Sequence, residues 1–131
     1  MTTLLLTDVE AAIRDGWGSD TFPSDAATSF DSRNPARGQC GVTALVLHDL
    51  LGGDLLRGEV RVDDQRTDYH WWNRLGAGVE IDLTREQFRP EETVTPGVVV
   101  PRPPGPPRRL NAEYQLLRAR VLLRLSVPSS R

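Results

Sequence analysis

Apolar residues recur at helical spacing in three stretches of the chain and alternate with polar ones in several others. Val9, Ile13 and Trp17 fall at helical intervals. They follow Thr7-Asp8-Val9-Glu10, which has the spacing of a capping box, and Gly16 and Gly18 stop the pattern; a first helix over 7–16 is predicted. Residues 18–38 are rich in Ser, Asp, Gly and Pro without apolar periodicity, which predicts an irregular covering loop that ends directly on Cys40. From 38 to 51 apolar side chains (Val42, Ala44, Leu45, Val46, Leu47, Leu50, Leu51) lie on most sides of a helix stopped by Gly52-Gly53, the signature of a core helix. Partial alternation over 55–62, 69–75 and 79–83 predicts three strands, and 98–100 predicts a fourth. Residues 84–88 read as a short helical turn, after which Pro90 and Pro96 break any long element. The Pro/Arg-rich segment 101–109 reads as a stiff connector; its overlapping P-x-x-P matches also fit a polyproline ligand, the rarer meaning of such a run. A last helix over 110–125, capped by Asn111, carries the apolar stripe Leu110, Tyr114, Leu117, Val121, Leu125.

These elements imply an α+β protein of one domain over 1–131: a central cysteine-bearing helix on a small antiparallel sheet, with N- and C-terminal helices. At 131 residues the chain has length for one core and little more. Its 38 % hydrophobic and 26 % charged residues fit a globular protein, and no apolar run is long enough to span a bilayer. The start, from Met1 to Thr7, lacks the basic region and longer apolar stretch of a signal peptide, and a single cysteine forms no internal disulfide, so a cytoplasmic location is expected. Charge is uneven. Residues 1–100 carry nine arginines against 17 acids, whereas 101–131 carry seven arginines against Glu113 alone. A basic tail on an acidic body predicts docking of the tail on the chain itself, and no nucleic-acid or membrane partner is expected.

Candidate chemistry centres on Cys40. The first turn of a helix favours a thiolate through unpaired N–H groups and the positive end of the dipole. The Cys40 backbone N–H and the Gln39 side chain are candidate oxyanion donors, and Gly38 and Gly41 allow close approach of a substrate backbone. A cysteine in an apolar helix is equally a common core filler. His70 shifts the balance, because a histidine among Tyr69, Trp71 and Trp72 is positioned by packing and suited to general-base work. Asp82, between Ile81 and Leu83, needs a partner to offset its desolvation. Pairing symmetric about Gly76 sets His70 opposite Asp82. Their even separation keeps both on one face only if the loop has an odd length, so a loop of three or five residues is predicted. Trp72 then shares that face and shields the imidazole, while Asn73 points away and is the poorer orienting group. Metal ligation by Cys40, His70 and Asp82 lacks any supporting ligand spacing, and neither metal nor cofactor is expected. His48 and Asp49 read as the helix's solvent face, and Asp63-Asp64 and Glu91-Glu92 as solvated turns.

The residues Asn34-Pro35-Ala36-Arg37-Gly38-Gln39-Cys40-Gly41-Val42-Thr43-Ala44-Leu45, His70-Trp71-Trp72-Asn73-Arg74-Leu75, 80–88 and Glu113-Tyr114-Gln115-Leu116-Leu117-Arg118 resemble the YunG-like family of short bacterial proteins. The order of helix cysteine, strand histidine and aspartate on the next strand is also similar to the transglutaminase-like branch of the papain-like superfamily. That second resemblance implies thiol chemistry on an amide or related acyl group, with Cys40 as nucleophile, His70 as base and Asp82 as its orienter; Gln39, Gly41 and Trp72 are expected around the substrate or oxyanion from their positions alone. Two functions stay open: a small cysteine hydrolase or acyltransferase acting on a peptide or small-molecule acyl substrate, and a catalytically inactive papain-like-fold module that binds a protein partner. Oligomeric state is not legible.

Overall fold

In the computed structural model, which describes residues 5–24, 26 and 28–126, the three helical stripes become three helices around one apolar cluster. Helix α1 (Leu6–Gly16) buries Val9, Ala12 and Ile13; α2 (Cys40–Leu51) buries Val42, Val46 and Leu47; α3 (Asn111–Ser126) buries Tyr114, Leu117 and Val121, and all of these meet with Leu83. Each fully buried aliphatic side chain of this kind contributes about 1.5–3 kcal/mol. Met1–Leu4 of the N-terminal segment, Asp25 and Ala27 of the covering loop, and residues 127–131 lie outside the described residues.

The capping box expected at Thr7 is not formed. Helix α1 starts at Leu6, the Leu5 carbonyl takes the N–H groups of Asp8 and Val9, and Thr7 lies inside the helix. Glu10 pairs with Arg14 one turn on.

The sheet has five strands: β1 (Asp54–Val62), β2 (Gln65–Arg74), β3 (Glu80–Ile81), β4 (Thr93–Val94) and β5 (Val98–Val100). All pairings are antiparallel, in the order β3-β2-β1-β4, with β5 also on β1. β4 has no counterpart in the apolar pattern. Strands β1 and β2 form a two-residue hairpin on Asp63-Asp64, both with positive φ (51° and 62°), a conformation that aspartate tolerates better than most residues. Thr67 stands unopposed where the register shifts at Val60/Arg61.

The basic tail does fold back on the acidic body. Arg120 pairs with Asp20, Arg124 with Asp15, and Arg102 and Arg118 with Asp49. His48 and Asp49 are therefore anchors for the tail rather than a bare solvent face: Arg102, from the proline-rich connector, reaches Asp49 Oδ1 (2.6 Å), His48 Nδ1 (3.1 Å) and the Tyr114 hydroxyl (3.0 Å). No helix among the described residues is long and apolar enough to cross a membrane.

Candidate active site

Cys40 is the first residue of α2, so its backbone N–H belongs to the turn whose amides lack intrahelical acceptors. The segment leading into it is held by side chains distant in sequence. Gln87, buried in the short 3-10 turn Arg85–Gln87, accepts the Gly38 N–H through Oε1 (3.1 Å) and donates from Nε2 to the Thr84 carbonyl (3.0 Å). Its own carbonyl accepts from Asn34 Nδ2 and Arg37 Nη1. Arg37 also grips Glu92 (2.7 Å), whose carboxyl this arginine holds below the usual range. Glu92 is thus a structural partner, not part of a solvated turn. Together these bonds fasten the chain before Cys40 to the chain after Asp82.

Gly38 is required here for two reasons. Its φ is +82°, and a Cβ at this position would lie 2.4 Å from Phe22 Cε2. The Phe22 ring therefore packs directly on the backbone at Gly38, two residues before Cys40.

His70 is 1 % exposed, on β2. Its ring stacks on Trp72 (centroids 5.2 Å apart, 22° between planes) and meets the edge of Phe88 (4.6 Å, 86°). Its Nε2 lies 2.6 Å from Asp82 Oδ2. Its Nδ1 is buried without a hydrogen-bond partner. Burial works to lower the imidazole pKa, but the Asp82 hydrogen bond and, after it, the neighbouring Cys40 thiol overcome it and raise the pKa to about 9. Cys40 therefore lies close enough to His70 to act on its charge. An imidazolium at neutral pH, flanked by carboxylate and thiol, is an arrangement in which the ring holds a proton ready to transfer.

The hairpin joins His70 to Asp82 by a different register from the symmetric one. Asn73 pairs with Ile81 and Arg74 with Glu80, so the pairing is centred on Ala77 and leaves a five-residue loop, 75–79. The loop is odd, as parity requires, and the two side chains share a face. Trp72, not His70, is level with Asp82, and His70 reaches the carboxylate diagonally. The shift has a local cause: Ala77 takes φ +66° and the Leu75 N–H bonds the Val79 carbonyl (2.7 Å), closing the loop one residue later. Asp82 follows β3 rather than lying in it; its Oδ1 faces the Thr84 hydroxyl (3.4 Å).

The remaining candidates are placed as follows. Asn73 donates to the Ala44 carbonyl on α2 (3.0 Å), one turn past Cys40, while the His70 ring is held by Asp82. Trp72 is buried and donates from Nε1 to Glu80 (2.7 Å). Gln39 is fully buried, with Oε1 accepting from the Thr21 hydroxyl (2.8 Å) and Nε2 donating to the Gly18 carbonyl (3.2 Å), so its amide stitches the covering loop to the start of α2. Gly41 faces Leu110. Phe88 and Gln87 were not singled out in the sequence, where Phe88 reads only as the end of a short turn. Among the described residues, no group of three or more His, Cys, Asp and Glu is arranged to hold a metal ion.

Fold and site together define a small α+β protein in which a cysteine at a helix start adjoins a buried histidine-aspartate pair. The YunG protein family matches residues 5–126, and the chain belongs to that family. It is similar to "Uncharacterized protein YunG" of Bacillus subtilis (strain 168), 46 % identical over 64 residues, which are 49 % of this chain and 50 % of that protein. The matched region thus spans about half the length of that curated relative. No solved structure matches the chain.

Proposed function

We propose that the protein is a small cysteine hydrolase or acyltransferase acting on an amide or related acyl group, built on a papain-like, transglutaminase-like core. The observation that carries this reading is the division of labour on the His70 ring: Nε2 is taken by Asp82, while Nδ1 is buried with no partner and Cys40 is the other ionisable group acting on the ring. A structural histidine gains nothing from an orphaned ring nitrogen, whereas a general acid-base needs one.

In this reading the Cys40 proton already resides on His70 Nδ1 before attack, and Asp82 stabilises that imidazolium and fixes the ring. The sulfur attacks the acyl carbon, and the carbonyl electrons move onto oxygen beside the Cys40 N–H at the start of α2. The carbon–leaving-group bond then breaks as His70 returns the proton to the departing amine or alcohol, leaving a thioester on Cys40. Water or an acceptor amine, deprotonated by His70, attacks the thioester and restores the thiol. Gln39 would assist the oxyanion only through the second hydrogen of its Nε2, since the amide is otherwise tied to the loop.

The test is the rate of Cys40 alkylation by iodoacetamide at pH 7, together with mass spectrometry for an acyl-Cys40 adduct after exposure to p-nitrophenyl acetate. His70→Ala is expected to lower the alkylation rate about tenfold or more and to abolish the adduct, in line with the usual contribution of a positioned base. Circular dichroism checks that the variant is folded. A parent protein with an inert thiol, or one alkylated equally fast without His70, would overturn the reading in favour of an inactive binding module.

A further inference from the structure

Several arginines of this chain are consumed by carboxylates: Arg61 holds Glu59, Arg74 holds Asp54, Arg37 holds Glu92 and Arg120 holds Asp20. Arg57, on β1, is different. Among the described residues its guanidinium has no hydrogen-bond or ion-pair partner, and it lies instead over the rings of Tyr69 (4.6 Å to the centroid) and Trp71 (5.9 Å). The strand register explains the stack. Arg57 is level with Trp71 and Glu59 with Tyr69, so alternation along the two strands puts all four side chains on one face. A guanidinium laid on aromatic rings is held in place while its edge N–H groups stay free, the geometry that meets a carboxylate bidentately.

The edge of the sheet closes a hollow around this cation. β5 sets Val98 level with Arg57, while the Thr95 N–H bonds the Glu59 carbonyl (2.9 Å) and the Thr95 hydroxyl accepts the Glu59 N–H (2.8 Å). The hollow, of about 270 Å³, has Arg57, Arg61 and Glu59 around it, Tyr69 as a wall, and Pro96 and the largely exposed Val98 as an apolar rim. Both Arg61 bonds go to Glu59 Oε1 (3.0 and 2.6 Å), which keeps that carboxyl ionised and cancels one positive charge. Two arginines against one glutamate leave a single positive charge, that of Arg57. A guest with a second negative charge would face the Glu59 carboxylate. The Tyr69 oxygen accepts from Arg66 Nη1, so its own O–H is left to donate. The volume is below that of drug-sized sites, which fits a small guest.

We propose that this hollow binds a small free carboxylic acid, as its monoanion, with an aromatic or aliphatic body. The carboxylate takes the edge N–H groups of Arg57 and the Tyr69 hydroxyl, and the body lies along Pro96 and Val98. The site draws on none of Cys40, His70 and Asp82, and it stands whether or not the cysteine is reactive.

The test is an NMR titration of the full chain with 3-phenylpropionate, followed at the amide resonances of Gly58, Glu59 and Val98. Its comparison ligands are 3-phenylpropionamide, phenyl phosphate and the dipeptide N-acetyl-valyl-phenylalanine. Saturable shifts with 3-phenylpropionate are expected, and the neutral amide is expected to bind about tenfold or more weakly, because hydrogen bonds to a charged group are lost. Arg57→Gln should weaken the acid to the level of the amide, and Arg57→Lys, which keeps the charge but not the fork, should fall between. Resonances elsewhere in the spectrum report that each variant is folded. No saturable shift at these amides, or an affinity that Arg57→Gln leaves unchanged, would overturn the site. Tighter binding of phenyl phosphate would overturn the monoanion, and tighter binding of the dipeptide would overturn the free acid in favour of a peptide end.

Discussion

The two histidines of this chain sit near opposite ends of the same helix and meet opposite demands. Near the start of α2, His70 faces a carboxylate and a thiol, both of which favour a proton on the ring. In its last turn, His48 Nδ1 faces the guanidinium of Arg102, a group that only donates, so the contact needs a bare lone pair. The helix dipole would give the reverse arrangement, favouring cations at the C-terminus and disfavouring them at the N-terminus. Specific partners thus outweigh the dipole at the buried end, where Asp82 is in direct contact. At the other end the dipole is answered by Arg102, which also reaches toward the Leu45 carbonyl (3.5 Å). One end of α2 is wired for proton chemistry and the other for holding a tail in place.

The largest effect that would sharpen this contrast is expected at Gly38. Gly38→Ala imposes a left-handed conformation on a residue with a Cβ and drives that Cβ into the Phe22 ring. Left-handed backbone costs about 1–2 kcal/mol and overpacking about 1–3 kcal/mol, so a loss of about 4 kcal/mol is expected in urea unfolding. Cys40 alkylation should slow at the same time, because the Gln87 bond to the Gly38 N–H sets the start of α2 against the Asp82 turn. A variant as stable as the parent would show that Phe22 can vacate the position freely.

Next in size is the pH dependence of stability. An unfolded histidine releases its proton near pH 6.5, whereas folded His70 holds it to about 9. The stabilisation is therefore fully present below pH 6.5 and is lost as pH rises through 9. At about 1.4 kcal/mol per pKa unit it amounts to something on the order of 3 kcal/mol. Asp82→Asn is expected to flatten this slope and to bring the midpoint of the His70 ring resonance down in NMR titration. An unchanged slope in Asp82→Asn would mean that the carboxylate does not hold the imidazolium.

Much of this arrangement was legible in the sequence because it depends on local spacing. The stripes of α1, α2 and α3 report burial directly, and the even separation of 70 and 82, given an odd-length loop, puts both side chains on one face. What depended on backbone detail or on distant contacts was not legible. The register turns on Ala77 adopting positive φ, which no apolar pattern encodes. The two-residue strand β4 between Pro90 and Pro96 is too short to alternate, and it exists because β1 offers it a free edge. Gln87 and Phe88 read as parts of a polar turn, yet they act through contacts with Gly38 and His70, roughly 50 and 18 residues away in sequence. Thr7 illustrates the opposite error: a good capping motif lost to a helix start one turn position earlier, where a leucine carbonyl sufficed.

The smallest expected effect tests whether the far end of α2 is as separate as the two histidines suggest. Arg102→Ala removes bonds to Asp49, His48 and Tyr114, but Asp49 keeps Arg118 and the Tyr114 hydroxyl as partners, so no carboxylate is stranded. The pair is partly exposed, and a loss of about 1 kcal/mol in unfolding is expected. Hydrogen exchange should rise along the connector, because Arg102 ties it to Asp49 and His48 of α2. With only two histidines in the chain, the ring resonances separate the outcomes: that of His48 should shift as its donor is removed, while that of His70 should titrate as in the parent. A change in the His70 titration would show that the two ends of the helix are coupled. The connector runs from Arg102, beside His48, to Leu110, beside Gly41, and is the physical path such coupling would take.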